Sequence, residues 1–203
     1  IHRDPSELDT ELKNKWGETG DAKAFRSDES KIIDFIQSGY RAGKAPSIDE
    51  VPLENFYTEA VCLDLSDVPL KHEITIDEME AALGNTGEEI RKGDTVLIHM
   101  GVNERLFGKA EYLHDFPGLH VDTVHWLADK EIIMFGVEAI SPAPEGEANF
   151  KAHIACAKRG ITHMEGLMNL DKLIGKGRFR FIGFPLKIKG GTGSPIRAVA
   201  VID

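Results

Sequence analysis

A histidine and a glutamate, His153 and Glu165, stand twelve residues apart on either side of Gly160. Imidazole and carboxylate groups are common protein ligands for divalent metals such as zinc. If the elements on either side of Gly160 fold back on each other, the pair could hold a catalytic metal ion. The alternative is that His153 is a hydrogen-bonded core residue with no ligand role, the commoner fate of a single histidine on an apolar helix face.

The elements that must position this pair are predicted to be two helices. Three apolar residues recur at the spacing of one helix face between Glu147 and Arg159, namely Phe150, Ile154 and Ala157. This pattern predicts a helix with His153 on its buried face, ended by Gly160 in the left-handed conformation. A second helical run is predicted to begin near Thr162 with Glu165 in its first turn, so that the chain reverses between the two candidate ligands.

Five segments carry a recognisable order of motifs. Around the pair, His153 is followed by Gly160-Ile161-Thr162, Glu165-Gly166-Leu167 and Asn169-Leu170. The other four are NFYTEAVCLDLS at 55–66, RKGDTVLIHMG at 91–101, FGVEAISP at 135–142 and FPLKIKGGTGSPIRAVA at 184–200. Together, over residues 48–202, they resemble the metal-dependent cyclase and hydrolase family that includes bacterial kynurenine formamidase and isatin hydrolase.

The chain departs from this family at the motif His-x-Gly-Thr-His-x-Asp-x-Pro-x-His, because no His-x-x-x-His-x-Asp occurs in it. The resemblance identifies His2 with the final histidine of that motif, since Ile1-His2 would follow directly on Asp-x-Pro. No methionine begins the sequence, so we expect an upstream part of the protein to be missing from it. Glu138 stands where the family usually has an aspartate.

The resemblance implies a metal-dependent hydrolase of an amide or other C–N bond in a small cyclic or aromatic substrate. His153 and Glu165 would be ligands of Zn or Mn, joined by upstream ligands. His2 would be the catalytic acid and base that moves a proton from the attacking water to the leaving nitrogen. The alternative is a catalytically inactive member that serves as a binding or assembly subunit, which the lack of the upstream ligand motif favours.

Composition limits the partners. A net charge of −10 disfavours nucleic acid and anionic membranes, so a small-molecule substrate is expected. The glycine-rich stretch at 190–194 lacks the lysine of a phosphate-binding loop, so no nucleotide cofactor is expected. Cys62 and Cys156 lie in apolar runs and are predicted to be buried thiols. No apolar run reaches the roughly 18 residues of a membrane span and no signal peptide is visible, which predicts a cytoplasmic location. The resemblance implies a homodimer or homotetramer.

Strand and helix signals are mixed along the 203 residues, and no linker divides them, so one α/β domain is predicted over residues 1–203. Strands are predicted at 60–65, 95–99, 132–137, 179–188 and 196–202. Helices are predicted at 76–83 and 122–129, with Thr75 or Asp77, and Asp122, as N-caps. The resemblance implies a layered fold in which a barrel-like mixed β-sheet is flanked by helices, of the swivelling β/β/α type.

A charged segment at about residues 6–47 contains scattered apolar positions and is predicted to be a helical insertion that forms a lid or an interface. A surface excursion or partly disordered segment is the alternative reading of the same pattern.

Five further histidines are weaker candidates. His120 and His125 flank Asp122, but that aspartate is explained as a helix cap, so a structural role is favoured. His163 lies two residues before Glu165, and on a helix their side chains would diverge by about 200°. His99 and His114 border a predicted loop and are interpreted mainly as solvated residues.

Overall fold

A computed structural model describes residues 46–202. His2, and all but the last two residues of the predicted insertion at about 6–47, lie outside the described residues. Residues 46–202 form eight strands: β1 Tyr57–Asp64, β2 Glu73–Ile74, β3 Thr95–His99, β4 Gly118–Leu119, β5 Met134–Val137, β6 Thr162–Met164, β7 Phe179–Ile182 and β8 Val199–Val201. The same residues include four α-helices: α1 Ile76–Thr86, α2 Val102–Leu106, α3 Val121–Asp129 and α4 Glu147–Arg159.

The main sheet has six strands in the order β6-β5-β3-β1-β7-β8. The first four are parallel neighbours, whereas β7 is antiparallel to β1 and β8 is antiparallel to β7. β2 and β4 form a separate parallel pair. The layered, mixed α/β fold predicted above is therefore confirmed.

Successive side chains of a strand point to opposite faces of the sheet, and both faces of this sheet are covered. One face, here called the helix face, carries Val61, Val96 and Phe135 and packs against buried residues of α1, α3 and α4. The other, here called the loop face, carries Cys62, Leu97, Met134 and Phe181 and packs against Leu167, Leu170 and Leu173. The two faces give the described part of the chain two apolar layers.

Local sequence signals explain where the helices begin and end. The Thr75 side chain accepts a hydrogen bond from Glu78 N while the Glu78 carboxylate accepts one from Thr75 N, a capping box that starts α1 at Thr75, one of the two caps predicted. α4 has the predicted bounds, and Gly160 ends it at φ 68°. The prediction of Asp122 as the cap of α3 is wrong, because the His120 side chain accepts the hydrogen bond from Asp122 N.

The prediction of a second helix from Thr162 is also wrong. Thr162–Met164 forms strand β6, in which Met134 pairs with Thr162 and Phe135 with His163. Gly160 turns the chain directly back onto the edge of the sheet, where three residues find backbone hydrogen-bond partners along β5. Pairing with a distant segment decides the conformation here, and a three-residue strand has too little periodicity to show it.

The buried side of α4 differs from the prediction. Ala152, Ala155 and Cys156 are buried, and these small side chains allow α4 to approach the sheet and α3. Ala157, predicted to be buried, is exposed, and Phe150 and Ile154 are only half-buried. His153 therefore lies at the margin of the interface, where its side chain is 42% exposed.

The predicted strands at 179–188 and 196–202 are shorter in the structure. β7 ends at Ile182, and beyond it only an isolated bridge joins Pro185 to Ile196. Proline cannot donate to a strand ladder, which explains why the ladder does not continue through Pro185. Of the helices in residues 46–202, none combines the length and the apolarity that a membrane crossing requires.

Candidate metal centre

The polar groups of interest lie at the carboxyl ends of the parallel strands. Asp64 ends β1, His99 ends β3, Glu138 follows β5 and Glu165 follows β6. Strands that run in the same direction end at the same edge of the sheet, which is where binding sites of open α/β sheets form. The described residues therefore concentrate carboxylates and imidazoles along one edge.

His153 and Glu165, the pair predicted to hold a metal, are brought together. α4 lies on the helix face of the sheet and places His153 Nε2 3.7 Å from Glu165 Oε1. His153 Nδ1 lies 2.9 Å from the Asn149 carbonyl oxygen, which can only accept a hydrogen bond, so the proton belongs on Nδ1 in the neutral ring. Nε2 then has a free lone pair directed at the carboxylate, the arrangement that a metal ligand needs.

His163 joins this pair, contrary to the prediction that its side chain would diverge from Glu165. The extended backbone of β6 places alternate residues on the same side, and His163 Nε2 lies 3.2 Å from Glu165 Oε1. The His163 ring stacks on Phe135 of the helix face, with 5.6 Å between the ring centroids. The rings of His153 and His163 meet edge to face at a centroid distance of 5.0 Å.

These three residues have the donor set of a divalent metal site. One ligand atom from each of His153, His163 and Glu165 lies within 4.8 Å of the others. Two imidazole nitrogens and one carboxylate oxygen suit zinc or manganese, and three protein ligands leave positions open for water and substrate. The side chains fit the metal implied by the resemblance, and the Glu165 side chain is 36% exposed, so the cluster is accessible.

The charged groups of the cluster shift each other's pKa values. Burial alone would raise the pKa of Glu165, but the nearby imidazoles of His153 and His163 outweigh it and lower the pKa to about 2. The nearby Glu165 carboxylate raises the pKa of His153, against the opposing effect of burial. Without a metal, the two side chains therefore favour an imidazolium–carboxylate pair. A metal ion would have to displace the proton from His153.

A second polar cluster was missed by the sequence reasoning. His99 is buried at the end of β3 rather than solvated in a loop, and its Nδ1 lies 3.1 Å from Asp64 Oδ1. Its Nε2 faces Glu104 Oε2 at 3.6 Å and Glu138 Oε1 at 3.9 Å. The signal available in the sequence was a polar residue that directly follows the three apolar residues Val96, Leu97 and Ile98 at the end of a predicted strand.

Glu138, which stands where the family usually has an aspartate, is fully buried. Its Oε2 accepts hydrogen bonds from Met100 N at 2.8 Å and Val102 N at 3.2 Å. Its Oε1 accepts one from Asn103 Nδ2 at 3.1 Å. Burial raises the pKa of this carboxyl group, and the bond from Met100 N opposes the rise. Through these hydrogen bonds, Glu138 links the turn at the start of α2 to the end of β5.

A cavity of about 450 Å³ opens beside the end of β1, with Cys62, Asp64 and Glu78 in its wall. This volume suits a small molecule. None of His153, His163 and Glu165 lines the cavity. The cavity and the three-ligand cluster are therefore separate features of the described residues, and the chemistry is assigned to the cluster because it holds the metal donors.

Two of the remaining candidates, His120 and His114, have structural explanations. His120 caps α3, and His114 Nδ1 forms an exposed ion pair with Glu145 at 3.1 Å. Neither these nor His125 belongs to a three-ligand group within residues 46–202. Cys62 and Cys156 are buried free thiols, as predicted, and burial raises the pKa of each to about 12. Thiols with such pKa values are poor nucleophiles.

The sequence also matches a family model. The model described as "Putative cyclase" matches residues 32–144, more than half of the chain. The chain belongs to this cyclase family. The resemblance inferred from the motifs is thereby confirmed, whereas the assignment of His2 to the upstream motif stays a prediction.

Two curated relatives show which members of the cyclase family this chain is similar to. A kynurenine formamidase of Salinibacter ruber is 40% identical over 78 residues, which cover 38% of this chain and 36% of the relative. An isatin hydrolase of Roseibium aggregatum is 33% identical over 139 residues, which cover 64% of this chain and 52% of the relative. The chain thus spans about a third to a half of the length of these two relatives.

Solved structures agree in fold. An isatin hydrolase bound to the product analogue thioisatinate has a TM-score of 0.69 at 29% identity, over 77% of this chain and 64% of that one. Isatin hydrolase A from Ralstonia solanacearum has a TM-score of 0.69 at 28% identity, over 78% of this chain and 65% of that one. The mixed sheet and its flanking helices are those of isatin hydrolase structures.

Proposed function

We propose that the protein containing this chain is a metal-dependent hydrolase of an amide or other C–N bond in a small cyclic or aromatic substrate. The observation that carries the proposal is the convergence of His153, His163 and Glu165, whose ligand atoms lie within 4.8 Å of one another. The names of the curated relatives support the substrate class, because a formamide and isatin both contain an acyl C–N bond.

The metal is proposed to be zinc or manganese. When bound, such an ion supplies Lewis acidity that activates water near neutral pH and polarises a carbonyl group. The chain's own residues prepare its binding. The Asn149 carbonyl fixes the His153 ring with Nε2 inward, and Phe135 supports the His163 ring from the helix face of the sheet.

Glu165 completes the cluster as the acidic ligand. Its low pKa means that the carboxylate is ionised throughout the neutral range, so it can accept a metal or an imidazolium without first losing a proton. His2, which the resemblance makes the acid and base, is proposed to move the proton to the leaving nitrogen. A group that titrates near pH 7 suits this task.

The partners follow from the same proposal. The net charge of −10 supports a small molecule rather than nucleic acid or an anionic membrane as the partner. A homodimer or homotetramer is the proposed assembly, and it rests on the resemblance alone. A cytoplasmic location stays a proposal from the sequence.

The proposal is tested on the protein as encoded, depleted of metal with a chelator and then supplied with Zn²⁺ or Mn²⁺. Aryl formamides, isatin and cyclic imides are offered as substrates. We expect hydrolysis only with metal. Replacing His153 or Glu165 with glutamine should lower the activity by more than the roughly 10–100-fold that changes outside the ligand shell cost. His114→Gln is the matched control, because His114 is also paired with a glutamate but lies outside the cluster.

Hydrolysis that is unaffected by chelation, or by the substitutions of His153 and Glu165, would contradict the proposal. Metal binding without turnover of any of these substrates would instead favour the binding or assembly subunit. That alternative is motivated by the sequence, which contains no His-x-x-x-His-x-Asp.

A further inference from the structure

A second group of metal-ligating side chains lies at the same sheet edge but on the other face. His99 and Asp64 each lie two residues after a loop-face residue, Leu97 and Cys62, and therefore point to the same face, whereas His163 stacks on Phe135 of the helix face. One ligand atom each from His99, Glu104 and Glu138 lies within 4.8 Å of the others. The His153 cluster and this second cluster therefore share no residue.

The ring of His99 is oriented as a ligand would be. Its Nδ1 lies 3.1 Å from Asp64 Oδ1, and the carboxylate can only accept, so Nδ1 carries the proton. In the neutral ring, Nε2 then carries the lone pair. The side chain is only 9% exposed, and Nε2 is buried without a hydrogen-bond partner. An imidazole that donates one N–H to a carboxylate and presents the other nitrogen bare is the usual arrangement around a bound metal.

That bare nitrogen points at two carboxylates rather than at a donor. Nε2 is 3.6 Å from Glu104 Oε2 and 3.9 Å from Glu138 Oε1, distances beyond a normal hydrogen bond. Ligands held about 2.0–2.2 Å from one tetrahedral ion lie roughly 3.3–3.6 Å apart. The two separations from His99 are close to this spacing, and the two glutamate oxygens lie within 4.8 Å of each other, so a cation among the three atoms would draw them together.

Glu138 has the remaining coordination capacity. Both backbone donors, Met100 N and Val102 N, bind its Oε2. Its Oε1 receives only the Asn103 amide and faces His99. The three donors hold the carboxylate in place, while one oxygen keeps a lone pair for a further partner.

The number of carboxyl groups here favours such a partner. Asp64, Glu104 and Glu138 place three carboxyl groups around a single imidazole, and of the three Glu138 is fully buried. Buried carboxylates are usually paired or bound to a metal, because an uncompensated charge in the interior is costly. One imidazole, even when protonated, supplies only one positive charge for these three groups.

We propose that His99, Glu104 and Glu138 form a second divalent-cation site, with Asp64 as the positioning residue for His99. The nitrogen and two oxygens suit Zn²⁺ or Mn²⁺. The ion would join the ends of β3 and β5 to α2, which contributes Glu104. It would thus stabilise the packing of these three elements on the loop face. This site does not depend on the proposed hydrolysis, since its occupancy is measured without substrate.

The test uses the full chain with His163→Gln and Glu165→Gln as background, so that the first cluster is disabled. Metal-free protein is dialysed against Zn²⁺ or Mn²⁺ and the bound metal is counted by elemental analysis. We expect one ion per chain in the background. Adding Glu104→Gln should weaken its binding on the order of tenfold or more. Adding Glu145→Gln instead is the matched control, because Glu145 also pairs with a histidine, but at an exposed position.

A second measurement distinguishes a metal site from a simple ion pair. Nitrogen NMR of His99 in the background protein should show a protonated Nδ1, and an Nε2 signal that shifts when Zn²⁺ is added. The proposal is overturned if the background binds no ion, if Glu104→Gln leaves the affinity unchanged, or if both ring nitrogens stay protonated in the presence of Zn²⁺. Should Glu104→Gln unfold the chain by circular dichroism, the NMR readout on the background alone decides the question.

Discussion

His163 and Glu165, two residues apart on the chain, bring Nε2 and Oε1 to 3.2 Å at the end of β6. The same carboxylate oxygen lies 3.7 Å from His153 Nε2 on α4. Glu165 is thus shared by two histidines from different elements. This makes His163 a positioned member of the cluster, and it predicts that each histidine contributes separately to metal binding.

Replacing His163 with glutamine should weaken Zn²⁺ binding at the first cluster by on the order of tenfold or more, because two of the three donors remain. Isothermal titration calorimetry of the metal-depleted protein measures the affinity. His120→Gln is the matched control, since that histidine caps α3 and lies in neither cluster. An unchanged affinity for His163→Gln would show that His163 is only a packing partner of Phe135.

The metal-free protein should show a pH-dependent contribution from His153 and Glu165. His153 has a pKa raised above its usual 6.5, so its contribution is fully present below that value and is lost as the pH rises through the folded pKa. Glu165 has a pKa lowered from 4.5 to about 2, so its contribution is present above 4.5 and is lost as the pH falls towards 2. Their joint effect is therefore largest between these two ordinary values.

The measurement is the difference in thermal midpoint between the metal-free protein and its Glu165→Gln variant across this pH range. Because both side chains are more than a third exposed, we expect about 1 kcal/mol or less, on the order of 2–4 °C. The difference should shrink above the raised pKa of His153. With metal added the trend reverses, because binding requires the deprotonated imidazole and strengthens with pH. A difference that grows steadily with pH in metal-free protein would contradict the pairing.

The sequence could predict those elements whose signals are local. Strand β3 and helix α4 have the predicted bounds, since the apolar run Val96, Leu97 and Ile98, or a helix ended by glycine, is visible within one segment. The pair His153 and Glu165 was also singled out. The side chain of His163 was predicted to diverge from Glu165, because the sequence does not show that β6 is a strand that pairs with β5.

The second cluster could not be predicted, for a related reason. His99, Asp64 and Glu138 come from three parallel strands, and only the order of these strands in the sheet makes them neighbours. The motif resemblance identified the segments, but it did not show which residues of neighbouring strands pair. The buried side of α4 was likewise decided by how closely Ala152 and Ala155 allow the helix to approach the sheet, which hydrophobic spacing alone does not measure.

The capping box of α1 predicts a stability effect that is independent of the metal. Replacing Thr75 with alanine removes the hydroxyl that accepts from Glu78 N, and should lower the free energy of unfolding by about 1 kcal/mol. Urea denaturation followed by circular dichroism measures the change. Thr75→Ser keeps the hydroxyl and should lose much less. Equal losses for the two variants would mean that the methyl group, rather than the cap, is responsible.

Replacing glycine with alanine should lower the free energy of unfolding at Gly118 and raise it at Gly84. At Gly118 in β4, an added methyl carbon would stand 2.4 Å from the Ala143 Cα and 2.7 Å from the Ala143 carbonyl carbon. Backbone atoms cannot move aside as a flexible side chain can, so Gly118→Ala must push apart β4 and the segment that follows β5. We expect a loss of about 1–3 kcal/mol in the free energy of unfolding.

Gly84→Ala is the matched control in α1, where the added carbon meets nothing within 4 Å. There alanine removes the entropic cost of a helical glycine and should stabilise the protein by about 0.5–1 kcal/mol. Urea denaturation of both variants gives the two signs directly. A neutral Gly118→Ala would show that β4 and Ala143 are further apart than the structure places them, and the turn from β5 towards α4 would then need a different packing.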